Sequence, residues 1–319
     1  MGGRHTLEGL LVDPIGGAGP GVLTIEDDLI VEVEFGEVNE GKVVFPGFLD
    51  LHVYAPKTLI ATGVTGYLQA AQAPVDTTDP LCLGLHLEGP FLNPEAAGAL
   101  PADQLVPVDL DLLEEWLGRG DIRLVTLSPE LDFARDAIRI VSEQAVAGVG
   151  HTLANAATTR AAVEAGARFA THLWNAMRPL KARETGPIAT LLLDERVTIG
   201  LIGDGRHLHP AVEELTFRVA GPSRIALTSD RVAAPLTPEN QLAGGDVSGA
   251  EMVARFARFG LAEAARMASL VPAELLGLTD RGRLEPGFRA DLAVLDAGLR
   301  PLQTLSAGKT VWALRYPET

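Results

Sequence analysis

The sequence predicts an α/β chain: a (β/α)8 barrel with a small β-sandwich domain formed by both chain termini. Three observations predict it. Eight apolar runs of strand length follow one another through the middle of the 319 residues, interleaved with helical stretches, and that alternation belongs to a parallel barrel. Polar residues able to do chemistry recur at the C-terminal ends of those runs, where a barrel gathers its site. Both ends of the chain read as short strands with too few apolar residues to fold alone, so they are expected to combine. The expected boundaries are 1–45 with 281–319 for the small domain and 46–280 for the barrel.

Composition agrees with this class. Hydrophobic residues make up 47% and charged residues 21%, enough for a full core and against disorder. No apolar run approaches the roughly 18 residues of a membrane span. The start, Met1 to Thr6, lacks the apolar stretch of a signal peptide. The net charge of −16 repels nucleic acid and anionic lipid, so neither is expected as a partner. An anionic substrate would need a local basic pocket. The single cysteine, Cys82, has no partner for an internal disulfide. It is expected as a small buried hydrophobe in a cytoplasmic protein.

In chain order, Leu7–Val12, Gly21–Ile25 and Leu29–Val33 are the first short strands, separated by Pro14, Gly16-Gly17 and Asp27-Asp28. The barrel runs are Phe48–Tyr54, Val64–Ala70, Leu83–Glu88, Arg123–Ser128, Ala145–Gly150, Arg168–His172, Val197–Ile202 and Ile225–Ser229. Helical periodicity marks Phe133–Ser142, Thr158–Ala165 and Val212–Val219. The first two crossovers are shorter than a parallel connection with a helix usually needs, so those helices are expected to be missing or reduced to a turn. Val64, Tyr67 and Leu68, with Leu59 and Ile60 nearby, are then expected to form an apolar patch. A neighbouring subunit or the replacing loop would cover it; Leu81 and the stretch around Pro74 are the alternative cover. Near the C-terminus, Leu284–Gly287 reads as a turn, and Ala290–Leu295 and Thr310–Leu314 as strands.

The polar residues at strand ends are His52, Glu88, His151, His172, Asp204, His207 and Asp230, four of the seven histidines among them. One carboxylate and two neutral imidazoles, as in Glu88, His151 and His172, make a common catalytic Zn²⁺ ligand set with a position left for water. Each taken alone reads as a turn residue or a hydrogen-bonded structural histidine; the joint placement carries the metal reading. Asp230 ends the last run and suits a proton acceptor for the attacking water, with a helix N-cap as the alternative. His86 shares a strand face with Glu88 and reads as a buried support, not a ligand. His5 and His209 read as surface or cap residues. Arg178, Lys181, Arg183 and Arg206 form a basic cluster in an acidic chain. It suits a phosphate, or a solvated face pairing with Glu184 and Asp204.

Four stretches carry a family likeness: His86-Leu87-Glu88-Gly89-Pro90-Phe91-Leu92, Gly150-His151-Thr152, Thr171-His172-Leu173-Trp174-Asn175-Ala176-Met177 and Asp204-Gly205-Arg206-His207. In them the chain resembles the N-acetylglucosamine-6-phosphate deacetylases. Pro46-Gly47-Phe48-Leu49-Asp50 and Gly287-Phe288-Arg289-Ala290-Asp291-Leu292 are similar to the entry and exit of amidohydrolase barrels. The resemblance implies one divalent metal, zinc or iron, on Glu88, His151 and His172. It implies Asp230 as general base and acid, and His207 on the sugar or on the carbonyl under attack. Asn175 and Ala176 would meet the phosphate, with Arg183 as a further ligand acting across a homodimer. The implied reaction removes acetate from a phosphorylated amino sugar.

Departures from the family pattern bear on the pocket. The first-strand His-x-His reads His52-Val53-Tyr54, which speaks against a second metal. Ala97-Gly98-Ala99-Leu100 stands where the family usually has Lys-Gly-Ala-His, so Leu100 removes a sugar contact. Arg231 replaces a small residue, and the segment from Ala233 to Val247 is short. Two alternatives stay open: an amidohydrolase acting on a different N-acyl or cyclic amide, and a non-catalytic sugar-phosphate binding relative.

Overall fold

The computed structural model describes residues 3–38, 41–237 and 242–314. Four strands open the chain: β1 (His5–Asp13), β2 (Gly17–Glu26), β3 (Leu29–Phe35) and β4 (Lys42–Pro46). The next eight are β5 (Phe48–Val53), β6 (Val64–Ala71), β7 (Cys82–Glu88), β8 (Ile122–Leu127), β9 (Val146–Val149), β10 (Phe169–Ala170), β11 (Thr198–Ile202) and β12 (Ile225–Thr228). They lie side by side in chain order in one sheet, the parallel barrel the sequence predicts. A parallel bridge between Val53 and Arg231 joins the two ends of the sheet, with Tyr54 and Ala55 donating their N–H groups to the Arg231 carbonyl at 2.8 and 2.9 Å. The last strands are β13 (Leu292–Asp296), β14 (Pro301–Ser306) and β15 (Lys309–Ala313).

Those last three join the first four in a seven-stranded sheet of order β15-β14-β13-β4-β1-β2-β3. Leu23 and Ile30 from one end of this sheet share a core with Leu292 and Leu305 from the other. The two ends of the chain thus bury each other's apolar faces, as expected of segments too poor in apolar residues to fold separately.

The helices are α1 (Leu110–Leu117), α2 (Ala134–Ser142), α3 (Ala156–Ala165), α4 (Gly186–Leu193), α5 (Pro210–Ala220), α6 (Gly249–Phe256), α7 (Leu261–Ala265) and α8 (Val271–Leu275). α2 buries Ala134, Ala137, Ile138 and Val141, the i, i+3, i+4, i+7 stripe of an amphipathic helix. Asp109 and Asn155 cap α1 and α3, accepting N–H groups at 3.0 and 2.8 Å, and Ser248 with Glu251 forms a capping box on α6. As predicted, the first crossover holds only a 3₁₀ turn, Leu59–Thr62, and among the described residues the second holds no helix. No helix among the described residues is long and apolar enough to cross a membrane.

The chain divides into two compact units, one of residues 1–50, 56–67 and 247–319, the other of 51–55 and 68–246. Residues 247–280, expected with the barrel, group with the terminal strands. Two further expectations are corrected. Leu59, Val64, Tyr67 and Leu68 are all buried within the single chain. In the first unit, Gly249 at the start of α6 lies against Val64 and Phe48, and the Thr304 hydroxyl donates to the Ile60 carbonyl at 2.6 Å. The apolar patch is therefore absent, because segments some 190 to 240 positions further along the chain cover it. Cys82 is free but only half-buried; it starts β7, and its thiol donates to the Gly84 carbonyl at 3.3 Å.

Candidate functional site

The predicted residues converge at one rim of the barrel, all within the second unit. β7 ends on Glu88, while β9, β10 and β12 each end two positions before His151, His172 and Asp230. These last three adopt φ values of 47°, 32° and 50°, a left-handed region that non-glycine residues seldom occupy. Such backbone costs about 1–3 kcal/mol per residue and persists where the surroundings over-determine it. Among the described residues no helix follows Asp230 before Gly249, and none starts at Arg231, so the N-cap alternative for Asp230 is excluded.

Three candidate ligand atoms form a tight triangle. Glu88 Oε1 lies 3.0 Å from His151 Nε2 and 2.8 Å from His172 Nε2, and the two imidazole nitrogens are 3.2 Å apart. His151 Nδ1 sits 2.9 Å from the Ala96 carbonyl. A carbonyl only accepts, so Nδ1 carries the proton and a neutral His151 presents a lone pair at Nε2. Lone pairs of imidazole and carboxylate this close repel unless a proton or a metal cation lies between them. This donor chemistry fits the divalent ion that the fold implies. His52, Glu88 and His172 also each offer one donor atom within 4.8 Å of one another.

The other carboxylate oxygen of Glu88 is engaged differently. Tyr54 donates its hydroxyl to Oε2 at 2.5 Å, and His52 Nε2 lies 3.2 Å from Oε2 and 3.2 Å from Asp230 Oδ1. Behind His52, its Nδ1 meets His86 Nδ1 at 2.8 Å, and His86 continues to the Leu51 carbonyl and the Thr126 hydroxyl. His86 is thus the buried support the sequence implied. Tyr54, which in the sequence stands only where a ligand is missing, is thus a hydrogen-bond donor to Glu88.

Charge follows burial and partners. Burial alone would lower the pKa of His52, but the Glu88 and Asp230 carboxylates outweigh it and push it up to about 10. Burial would raise Glu88, yet His52, His151 and His172 hold it well below the usual carboxylate range. His86, buried beside His52, is held well below its ordinary value and stays neutral. Tyr54 is raised well above its ordinary value by burial and by Glu88, so it remains a donor.

A cavity of about 550 Å³ opens over this centre, lined also by Leu100, Asn175, Ala176, His207 and Val232. His207 Nδ1 is held by Asp204 Oδ2 at 2.7 Å. Burial would raise Asp204, but bonds from His207 and the backbone lower it. The Asn175–Ala176 loop is held beside His151 by the Thr152 N–H on the Ala176 carbonyl at 3.0 Å. The basic cluster, by contrast, is not brought together. Arg178 donates to the Leu153 carbonyl at 2.5 Å and Arg206 pairs with Asp246 at 3.3 Å. Lys181 and Arg183 are exposed. None of the described residues lining the cavity is Lys or Arg.

Comparison with known proteins agrees with this geometry. Residues 57–312 match the amidohydrolase family. An N-acetylgalactosamine-6-phosphate deacetylase of Escherichia coli O157:H7 is 32% identical over 92% of this chain and 84% of its own length. An N-acetylglucosamine-6-phosphate deacetylase of Lysinibacillus sphaericus is 28% identical over 85% of this chain and 86% of its own. Among solved structures, a variant N-acetyl-D-glucosamine-6-phosphate deacetylase of Mycobacterium smegmatis, in complex with N-acetyl-D-glucosamine-6-phosphate, superposes with a TM-score of 0.91. It is 29% identical, and the match covers 97% of this chain and 100% of that one.

Proposed function

Because the chain belongs to the amidohydrolase family, and within it to the N-acetyl amino-sugar 6-phosphate deacetylases, we propose that it hydrolyses N-acetylglucosamine-6-phosphate to glucosamine-6-phosphate and acetate. The observation that carries this reading is the convergence of Glu88, His151 and His172 on one point beside Asp230 at the floor of a single cavity. Those three residues hold one divalent ion, zinc or iron. When bound, such an ion polarises a carbonyl and acidifies water. The engagement of Glu88 Oε2 by Tyr54 and His52 supports a count of one ion.

Asp230 accepts the proton of the attacking water and returns it to the nitrogen as the carbon–nitrogen bond breaks, leaving amine and acetate. His52 steadies that carboxylate from 3.2 Å. His207, its Nδ1 fixed by Asp204, turns its other nitrogen to the sugar or to the carbonyl. Asn175 and Ala176 meet the phosphate. Arg183 is exposed and off the cavity of its own chain, which suits action in a neighbouring chain's cavity and hence a homodimer. The composition and single thiol fit a cytoplasmic setting.

The experiment is acetate release from N-acetylglucosamine-6-phosphate, N-acetylgalactosamine-6-phosphate and unphosphorylated N-acetylglucosamine, with metal analysis of the same sample. We expect one ion per chain and turnover of a phosphorylated sugar. Acetate release without bound metal overturns the chemistry. A second reading, a different N-acyl substrate, is favoured by Leu100 on the cavity wall and by the lack of Lys or Arg there. Preference for the unphosphorylated sugar, or no acetate from any of the three, decides for it.

A further inference from the structure

β8 lends no ligand to the metal centre, yet the residues just beyond it reach toward the ligand-bearing loops on both sides. We propose that Glu130 is a positioning residue that fixes both the backbone and the tautomer of His151; this rests on the metal-binding reading of His151. The grip on the backbone is direct. Glu130 Oε1 accepts the Leu153 N–H at 2.6 Å, and Oε2 accepts the Thr152 hydroxyl at 2.5 Å. Both partners follow His151 immediately. Ser128, two residues before Glu130, adds a third tie by donating its hydroxyl to the His151 carbonyl at 2.6 Å. These bonds pin the chain where His151 is held at φ 47°, a backbone that a free loop would leave.

The grip on the imidazole runs through Asn93. Glu130 Oε1 also accepts Asn93 Nδ2 at 2.8 Å. The other end of the Asn93 amide, Oδ1, accepts the Glu95 N–H at 2.9 Å and caps the 3₁₀ turn Pro94–Ala96. The Asn93 N–H in turn donates to the Ser128 hydroxyl at 2.8 Å. The turn delivers the Ala96 carbonyl to His151 Nδ1 at 2.9 Å. That bond places the proton on Nδ1 and leaves Nε2 as the lone pair facing Glu88. One carboxylate therefore ties the loop after β7, which follows Glu88, to the loop after β9, which holds His151. Glu130 touches none of the reacting atoms and acts through His151 alone.

The test compares Glu130→Ala with Glu130→Gln in the full chain. A glutamine amide can offer its oxygen to Asn93 and Leu153 and its NH2 to the Thr152 oxygen, so it preserves the ties. Zinc affinity is read by competition with a chromogenic chelator, kcat and KM separately, and thermal melting with excess chelator. We expect Glu130→Ala to bind zinc about 10–100-fold more weakly, with kcat reduced and KM little changed. Glu130→Gln is expected to stay within a few-fold of the parent in both, and Asn93→Ala to show a smaller loss of zinc affinity than Glu130→Ala. Parental zinc affinity in Glu130→Ala overturns the inference. So does a loss of affinity that Glu130→Gln fails to rescue. So does a loss accompanied by an equal loss of stability in the chelated chain, since that is a fold effect. If the parent itself binds no zinc or iron, the metal-binding reading falls instead.

Discussion

The two ends of the same barrel strands are built on opposite rules. At the C-terminal end, acceptor meets acceptor: Glu88 Oε1 and two imidazole nitrogens crowd within 3.2 Å, and buried His172 Nδ1 has no hydrogen-bond partner among the described residues. At the N-terminal end, donors meet acceptors. Arg168, just before β10, gives its guanidinium to the Val163 and Ala167 carbonyls at 2.9 and 2.7 Å. Arg224, just before β12, gives its own to the carbonyls of Asp194, Val197 and Leu192 at 2.9, 3.1 and 2.8 Å. The strands are shared, so the difference lies in what each rim is for. One rim holds crowded acceptors and strained backbone ready for a cation and substrate; the other closes its hydrogen bonds and supports the fold.

Substitutions at the two rims should therefore separate activity from stability. The largest effect is expected for Glu88→Ala. It removes a metal ligand, so bound metal and turnover should both be lost even at a temperature where the variant is folded. The chelated chain should also melt lower, because buried His52 loses a carboxylate that holds its proton and Tyr54 loses its acceptor; parental metal affinity would break the ligand assignment. Next comes Asp230→Asn, which keeps size but cannot take a proton. Turnover should drop about 10²-fold or more with metal retained; near-parental turnover would break the general-base role. Arg183→Ala follows. It should raise KM for the phosphorylated sugar by about tenfold, as loss of a charge-assisted bond implies, and leave the unphosphorylated sugar unaffected. Equal effects on both sugars would remove Arg183 from the phosphate.

The functional rim was the more legible of the two in the sequence. Apolar runs with period two reveal strands, and a polar residue at the end of each is conspicuous, as with Glu88, His151, His172 and Asp230. The supporting residues were not legible. A Glu two positions beyond a strand and next to Pro129 reads as a turn, so Glu130 passed unnoticed. The cover over Val64 comes from Gly249 and its neighbours, and no local pattern announces a contact at that separation. In the basic cluster, sequence nearness does not set side-chain nearness: Arg178 turns to the Leu153 carbonyl while Lys181 and Arg183 stay exposed. The short helices α1, α4 and α6 to α8 were missed as well, since eight residues or fewer give barely two periods of apolar spacing.

On the supporting rim, Arg224→Ala is expected to act in the reverse sense. It removes the guanidinium from three carbonyls, of which that of Asp194 keeps the Val197 N–H, a loss of about 2 kcal/mol, or a fall of about 3 °C in melting temperature for a chain of this size. At a temperature where the variant is fully folded, kcat and KM should match the parent. A change in either would mean that the rims are coupled along the strands and that the division of labour is incomplete.

The smallest effect concerns Asp194, on the same rim, and its signature is the pH at which it disappears. The Arg196 guanidinium, with Nε and Nη2 on the carboxylate at 2.8 and 2.6 Å, lowers its pKa from 3.8 to about 2; burial opposes this and the backbone N–H of Arg196 assists. A carboxylate whose folded value lies below its unfolded value stabilises the fold fully above the unfolded value. That contribution fades as pH falls through 3.8 and is gone below about 2. Discounted for solvent around the exposed Arg196, it amounts to about 1 kcal/mol at neutral pH. Asp194→Asn should therefore melt about 1–2 °C lower than the parent at pH 7, and the gap should close between pH 4 and 2. Because the other carboxylates titrate alike in both chains, the difference between the two curves isolates this one. A gap that stays constant down to pH 2 would mean that the Asp194 side chain matters through its backbone bond to Arg196, which asparagine keeps in part, and not through its charge.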